Sequence, residues 1–311
     1  MLTRFEELLD FALLNHSTDI HFEIIKNELK ISVRAIGGFK SFSSKKDDYK
    51  LLEYLKYISN LNLIESQIPQ SGSFSYVFKD KEYFFRLASI KSPYIETCVI
   101  RILNRFFEKK DIFKDIKDEI TSLYNFESGL IIFSGPTGSG KTTSLYSLIQ
   151  NFSNKKIYSI EDPVEIFFEN IVQISVNKNR NLSYKQAIKQ VLRHDPDIIV
   201  IGEIRDEDAA SMAIRAAFTG HLVLATIHSK NCLGAIRRLC DLKVSFEDIT
   251  ENTIFISNQR LIVNKENNSR KSVYEIINQK DIEEISKVGI KNYQQQDIME
   301  IVKKHQPQNK S

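Results

Sequence analysis

The sequence contains few cysteines, only three in 311 residues. Cys98, Cys232 and Cys240 form no C-x-x-C pair, and their odd number suits a reducing compartment. We therefore expect no zinc cluster and cysteines that behave as small buried hydrophobic residues.

Long hydrophobic runs are also missing. No apolar stretch approaches the length that spans a membrane, and charged residues interrupt the N-terminal segment, which excludes the apolar core of a signal peptide. These residues are Arg4, Glu6, Glu7 and Asp10. We expect a cytoplasmic protein whose membrane association comes through a partner.

The chain lacks a strong excess of either charge. Lysine and arginine total 43 and aspartate and glutamate total 40, a balance of +3. This balance gives no strong reason to expect nucleic acid as a direct ligand. A hydrophobic content of 42% over this length is ordinary for a globular protein and sufficient for two domains.

A glycine-rich loop is the strongest indication of function in the sequence. It follows the apolar run 130–133 and precedes a helical pattern that starts at Lys141. This order matches G-x-x-x-x-G-K-[ST], in which backbone N–H groups converge on phosphate at a helix N-terminus. Lys141 would reach the β- and γ-phosphates, and Thr142 would bind Mg²⁺. The alternative is a glycine turn before an ordinary helix. The predicted nucleotide-binding residues are Gly135, Pro136, Thr137, Gly138, Ser139, Gly140, Lys141, Thr142 and Thr143.

Two later apolar strands end in acidic residues, where open α/β sheets bind their ligands. One delivers Glu203, which would hold Mg²⁺ through water and polarise the attacking water. The other ends at Pro163 and delivers Glu161, which would activate or place the water with support from Asp162 or Glu165. The alternatives are a surface carboxylate and a plain acidic turn.

Two histidines flank a further short apolar strand. His228 lies just beyond its carboxyl end, where it could sense the γ-phosphate, whereas His221 lies at the opposite end. A histidine at the end of a core strand is more often structural than catalytic, so both interpretations stay open.

The pattern predicts a small α+β domain in residues 1–104, a charged linker in 105–117 and a larger domain in 118–311. The first domain has an amphipathic helix up to Leu13, and then strands near 20–25, 29–34, 74–78, 83–90 and 95–103 with a helix at 49–58.

The larger domain alternates short apolar strands with helices, which indicates a parallel sheet covered on both faces. We expect strands near 130–134, 157–160, 171–175, 197–201 and 221–226. Helices are expected near 141–152, 183–194, 206–218 and 233–241, with Ser183 and Asp206 as N-caps.

Four stretches resemble, in order and spacing, the Walker A motif, Asp box, Walker B motif and His box of the ATPases that drive type II secretion and type IV pili. They are SGPTGSGKTTSLY, SIEDPVE, LRHDPDIIVIGEIRD and TGHLVLATIHS. The resemblance extends from Ser17-Thr18-Asp19-Ile20-His21 to Gln259-Arg260-Leu261 and so covers most of the chain.

This resemblance implies an α/β fold, with a RecA-like P-loop domain that has a parallel-containing sheet and follows a PAS-like α+β domain. It implies an ATPase that uses ATP and Mg²⁺ and works as a homo-hexamer at the inner face of the cell membrane. Its implied partner is a polytopic inner-membrane pilus platform protein, with no direct nucleic acid. Arg86 and Arg101 would bind the nucleotide, since an arginine side chain can donate two hydrogen bonds to phosphate oxygens. The alternative is a strand-edge arginine paired with a carboxylate.

Several motifs found in other members of the family are missing from this sequence, and their absence indicates which members it resembles most. No four-cysteine zinc motif follows the His box, we expect no leading extra domain, and residues 281–300 show no AIRxxIRE-like helix. Ile36 stands where the family often has an acidic residue. The chain is therefore most similar to ATPases of Gram-positive competence pseudopili, which power DNA uptake. A type II secretion ATPase and an adhesive type IV pilus ATPase remain open.

Other classes of P-loop protein fit less well. A guanine-specific N-K-x-D is absent, because residues 264–267 end in asparagine, and no basic stripe interleaved with aromatic residues offers a strand-binding surface. These observations disfavour a nucleotide switch and a nucleic-acid-translocating motor. A module that binds nucleotide without hydrolysing it is a third alternative.

Overall fold

The computed structural model describes residues 2–35, 37–65, 67–103, 112–162, 164, 168–176, 182–263, 270–294 and 298–305. Ile36, Pro163, Glu165 and most of the predicted linker lie outside these residues. The chain divides into two compact units, Met1–Phe107 and Glu108–Ser311.

The first unit pairs an antiparallel sheet with two helices, as its apolar alternation predicts. The sheet order is β3-β2-β1-β6-β5-β4. Its elements are α1 (Leu2–Leu14), β1 (Asp19–Ile25), β2 (Glu28–Ala35), β3 (Gly38–Phe42), α2 (Asp48–Ile58), β4 (Gln70–Phe78), β5 (Lys81–Lys91) and β6 (Ile95–Ile102).

Two tight turns set the register of this sheet. Lys26 and Asn27 have φ of 49° and 67°, and Lys79 and Asp80 have φ of 50° and 60°. Positive φ at both central residues matches the twist of the flanking strands. The two predicted hairpins are therefore confirmed. The exposed β3 was not predicted, because it has no alternating apolar residues.

The helices of this unit share one core with the inward face of the sheet. Phe5 of α1 and Leu55 of α2 belong to the same buried cluster as Phe22 and Phe85. Side chains alternate along a strand, so Asp19, Arg86 and Arg101 occupy the opposite face of the sheet.

An ion pair joins α1 to the start of α2. Arg4 Nε lies 2.8 Å from Asp48 Oδ1, and the Lys45 amide donates to Asp48 Oδ2 at 2.7 Å. The Asp48 side chain is fully buried. Burial favours a raised pKa, but the hydrogen bonds from Arg4 and Lys45 outweigh it, so the pKa of Asp48 is lowered.

Asp48→Asn is expected to destabilise the fold by about 3 kcal/mol at neutral pH, because it leaves Arg4 without its buried counter-charge. The pKa of Asp48 is lower in the folded protein than in the unfolded chain, where it is about 3.9. The Asp48 carboxylate therefore stabilises the fold at pH values above about 3.9, and this contribution is lost as the pH falls through the folded-state pKa. The deficit should therefore shrink in acid. Urea unfolding followed by circular dichroism between pH 3 and 7 measures it. Asp47→Asn, at an exposed pair with Lys50, is the control. A deficit that is independent of pH would contradict the assignment.

The second unit is built on a mostly parallel sheet in the order β13-β12-β7-β11-β10-β8-β9, and among the described strands only the β12–β13 pair is antiparallel. Its strands are β7 (Gly129–Ser134), β8 (Ile157–Glu161), β9 (Ile171–Ser175), β10 (Ile198–Ile201), β11 (Leu222–Ile227), β12 (Thr253–Val263) and β13 (Arg270–Ile277).

The helices of this unit lie between its strands only in part, since no described helix separates β8 from β9 or β12 from β13. After a 3₁₀ turn at Lys114–Ile116, they are α3 (Lys117–Leu123), α4 (Lys141–Ile149), α5 (Tyr184–Val191), α6 (Glu207–Phe218), α7 (Cys232–Asp241), α8 (Phe246–Asn252), α9 (Gln279–Val288) and α10 (Ile298–His305). The predicted caps are confirmed, since Ser183 and Asp206 accept hydrogen bonds from the amides of Gln186 and Ala209.

Buried strand residues point to both faces of this sheet. Leu130 and Ile132 join the core formed with α5, α6, α7 and α9. Ile131 and Phe133 are equally buried outside that core, and Phe113 packs near Phe133. The α/β class and a parallel sheet covered on both faces are confirmed.

Candidate active site

The glycine-rich loop connects β7 to the first turn of α4, as predicted. Gly135, Gly138 and Gly140 have φ of 144°, 77° and 91°. A Cβ at Gly135 would lie 2.6 Å from the Gln259 carbonyl oxygen, and one at Gly140 would lie 2.8 Å from Gln259 Nε2. Both positions therefore require glycine, because the loop is packed directly against β12.

Lys141 lies at the start of α4 with its ammonium close to carbonyl oxygens. Nζ donates to Gly135 O at 3.1 Å and to Pro136 O at 3.0 Å. Burial lowers the pKa of Lys141, Arg260 lowers it further and Glu203 opposes the change. A buried cation that meets only uncharged acceptors at hydrogen-bond distance can bind an anion such as phosphate.

The ends of β10 and β11 bring two predicted residues into contact. His228 Nε2 lies 3.1 Å from Glu203 Oε1, and His228 Nδ1 lies 3.5 Å from Lys141 Nζ. His221 precedes β11 and meets Ala216 O through Nδ1 at 3.2 Å. The two histidines thus lie at opposite ends of the strand, as predicted, and His228 is the one beside the glycine-rich loop.

Arg205 is a site residue that the sequence analysis missed. Its Nε donates to Glu203 Oε2 at 2.7 Å, and NH1 lies 3.4 Å from Asp162 Oδ2. Glu203 is therefore held through one oxygen by His228 and through the other by Arg205. The sequence feature that could have identified Arg205 is its position two residues after Glu203, the acidic residue that follows the strand.

Glu161 ends β8 with its side chain buried. Ser159 Oγ donates to Glu161 Oε1 at 2.7 Å, Gln173 Nε2 donates at 3.2 Å, and Tyr146 OH donates to the same oxygen. Asp162, by contrast, is exposed beside Arg205. Of the two acids named in support of Glu161, Glu165 lies outside the described residues.

The loop fits a phosphate group. Ser139 Oγ is buried and makes no hydrogen bond with the described residues, and Lys141 follows two residues later at the start of α4. For Mg²⁺, the described part of the chain contains no group of three or more histidine, cysteine, aspartate or glutamate residues that could hold a metal ion by itself. An ion here would depend on Thr142, Glu203 and the nucleotide, a hard-oxygen set that suits Mg²⁺.

Comparison with known proteins places these features in a family. The model described as "Type II/IV secretion system protein" matches residues 3–309. The chain belongs to this family. The resemblance in the four motifs is confirmed, and the protein is a secretion ATPase.

Curated relatives include competence and secretion proteins. The chain is 32% identical over 327 residues to "Competence protein ComGA" of Bacillus subtilis (strain 168), which covers 96% of this chain and 92% of that protein. It is 34% identical over 264 residues to "Type II secretion system protein E" of Xanthomonas campestris pv. campestris, which covers 82% of this chain but only 47% of that protein.

Solved structures support the fold. The structure titled "Pilus Retraction Motor PilT and Bound ADP" superposes with a TM-score of 0.73 at 26% identity, over 90% of this chain and 86% of that one. The Legionella pneumophila ATPase DotB gives a TM-score of 0.76 at 20% identity, over 93% and 85%, which is a likeness of fold alone. The PAS-like type of the first unit stays a prediction.

A buried polar cluster supports the loop of this secretion ATPase from β12. Ser144 Oγ of α4 donates to Gln259 Oε1 at 2.8 Å, and Asn258 Nδ2 donates to Ser134 Oγ at 2.8 Å and to Ser229 O at 3.3 Å. The cluster thus connects both ends of the glycine-rich loop with the residue after His228. Strand β12 was not predicted from the sequence, because buried polar residues interrupt its apolar pattern.

The two predicted arginines are cross-strand neighbours in the first unit. Arg86 on β5 lies opposite Arg101 on β6, and Arg101 Nε lies 2.8 Å from Asp19 Oδ1. Like charges on opposed positions destabilise a sheet unless an anion compensates them. Arg101 has a carboxylate partner, as the alternative interpretation expected. Action of either arginine at the nucleotide stays a prediction.

Proposed function

We propose that this secretion ATPase is the Mg²⁺-dependent motor that assembles a type IV pilus-like competence pseudopilus for DNA uptake. It would act as a homo-hexamer at the inner face of the cell membrane, on a polytopic pilus platform protein and without binding DNA itself. In the described part of the chain, no helix is long and apolar enough to cross a bilayer, so membrane attachment is assigned to that partner.

The observation that carries this proposal is the extent of similarity to the competence protein of B. subtilis, which covers almost the full length of both chains. The chain spans about half of the Xanthomonas type II secretion protein. That similarity still favours type II secretion as the second candidate function. An adhesive type IV pilus would use the same ATPase chemistry.

The site supports nucleotide binding through residues 135–143. Backbone amides at the start of α4 would bind the β-phosphate, and Lys141 would move from the carbonyl oxygens of Gly135 and Pro136 to the phosphates. Thr142 and Glu203 would hold Mg²⁺, which when bound neutralises charge on the phosphate oxygens.

Hydrolysis would depend on carboxylates placed around the γ-phosphate. Glu203 would orient and polarise the attacking water once one of its oxygens exchanges a cationic partner for that water. Arg205 is the partner that can leave at low cost, because its side chain is 56% exposed. His228 contacts both Glu203 and Lys141, so it would couple binding of the γ-phosphate at Lys141 to the position of the Glu203 carboxylate. Glu161 would help to place the water.

Arg86 and Arg101 would complete the site when the first unit approaches the nucleotide. Each is exposed on the face of its sheet opposite the helices, so neither must leave a core to reach phosphate. Domain movement that depends on nucleotide would convert binding energy into mechanical work.

Uptake of labelled DNA tests the function. A chromosomal Lys141→Ala strain is expected to take up almost no DNA and to expose no pseudopilus subunits, although it contains as much ATPase as the wild type. Lys189→Ala, at an exposed position on α5, should leave uptake unchanged. Normal uptake in the Lys141→Ala strain would exclude the competence function. Loss of protein secretion or adhesion in that strain would then assign the ATPase to those systems.

A further inference from the structure

The Glu161 carboxylate is buried and is held by three uncharged donors. Within the described part of the chain, every hydrogen bond to this carboxylate ends on Oε1, from Tyr146 OH, Ser159 Oγ and Gln173 Nε2. These donors come from the loop helix α4, from β8 itself and from β9. Oε2 is therefore the oxygen that can accept a hydrogen bond from water.

The orientation of Gln173 follows from the backbone. The Phe168 amide donates to Gln173 Oε1 at 2.8 Å, which fixes that atom as the acceptor and turns Nε2 toward Glu161. Gln173 Nε2 also donates to Tyr146 OH at 3.2 Å. The Phe168 ring stacks on Tyr146 with centroids 4.5 Å apart. Tyr146 and Gln173 are thus each held by a second contact.

The Tyr146 hydroxyl is a permanent donor. Burial raises the pKa of Tyr146, and the neighbouring Glu161 carboxylate raises it further. The phenol therefore keeps its proton at neutral pH and stays a hydrogen-bond donor. A hydrogen bond to a charged acceptor contributes more than one between neutral groups.

We propose that Tyr146 and Gln173 are positioning residues for hydrolysis, which hold Glu161 by Oε1 so that Oε2 places the attacking water. Tyr146 lies in the same helix as Lys141, so the helix that binds phosphate also positions the carboxylate. The inference rests on the proposed function, because it assumes that Glu161 acts in ATP hydrolysis.

Tyr146→Phe tests this inference, since it removes the hydroxyl and keeps the ring on Phe168. We expect kcat to fall by about tenfold, while the KM for ATP and the dissociation constant of a fluorescent ATP analogue stay close to wild type and the melting temperature falls by only a few degrees. Tyr158→Phe is the matched control, because Tyr158 is buried in β8 and its hydroxyl makes no hydrogen bond with described residues.

A double-mutant cycle separates positioning from general support. In a Glu161→Gln background, measured by single turnover at high enzyme concentration, Tyr146→Phe should cause no further loss. An equal tenfold loss in that background, or a rise in KM with unchanged kcat, would overturn the inference.

The single Glu161→Gln variant distinguishes failure of the positioning role from failure of the proposed role of Glu161 in hydrolysis. A strong loss of kcat in Glu161→Gln together with full activity in Tyr146→Phe would refute the positioning role alone. Full activity in Glu161→Gln would remove Glu161 from the proposed mechanism and overturn the positioning role with it.

Discussion

Glu203→Gln is expected to bind ATP with near-normal affinity and to hydrolyse it at least about a hundredfold more slowly. The substitution keeps the size of the side chain and its ability to accept a hydrogen bond from His228. It removes the negative charge that would polarise water and help to hold Mg²⁺. A loss of kcat with little change in affinity is the signature of an interaction made mainly in the transition state.

Phosphate release measured at saturating ATP, together with titration of a fluorescent ATP analogue, provides both quantities. Glu207→Gln is the matched control, because Glu207 is an exposed acid paired with Lys243 at the start of α6. Wild-type turnover in Glu203→Gln would move the catalytic assignment to another acid of the site, with Glu161 the first candidate.

Lys141→Ala is expected to weaken ATP binding about a hundredfold, and hydrolysis falls with it. The ammonium would make charge-assisted contacts with two phosphates, and each such contact contributes about 1.5–3 kcal/mol. A total near 3 kcal/mol corresponds to about two decades in the dissociation constant. Burial, which lowers the pKa of Lys141, indicates that the free ammonium is poorly solvated and gains strongly from an anion.

Calorimetric titration with a slowly hydrolysed ATP analogue measures this loss. The exposed Lys189→Ala variant controls for the loss of one positive charge, and a melting temperature near wild type would show that the loop still folds. An affinity within a factor of three of wild type would mean that the ammonium stays on the carbonyl oxygens of Gly135 and Pro136 when nucleotide binds.

Local pattern predicted the elements that carry the site. The apolar run 130–133, the loop glycines and the N-caps Ser183 and Asp206 are all confirmed, because each depends on residues adjacent in sequence. Most strand ends were predicted within about one residue, although β4 starts at Gln70 rather than at residue 74. Helix ends were predicted less well, since α5 stops at Val191 rather than at residue 194.

Contacts distant in sequence could not be predicted in this way. Gln259 meets Ser144 across 115 positions, and Asn258 meets Ser134 across 124. In the sequence these residues look like polar breaks in an apolar segment, so β12 was missed. Burial of such groups is tolerable only when their partners are already placed by the rest of the sheet.

For the two acids of the site, Glu161 and Glu203, the position was predictable from the local sequence and the surroundings were not. Both were predicted from their position at the carboxyl ends of apolar strands. Their different surroundings were not predicted, since Glu203 meets His228 and the Arg205 cation whereas Glu161 is buried among neutral donors.

The sequence alone therefore determined the α/β class, the glycine-rich loop, the acidic strand ends and the secretion ATPase family, because these follow from short-range periodicity and from motifs read in order. Only the tertiary structure decided which donors hold each carboxylate and what supports the loop from behind. Those contacts form when parallel strands bring distant segments to one edge of a sheet, and no local pattern encodes their distances.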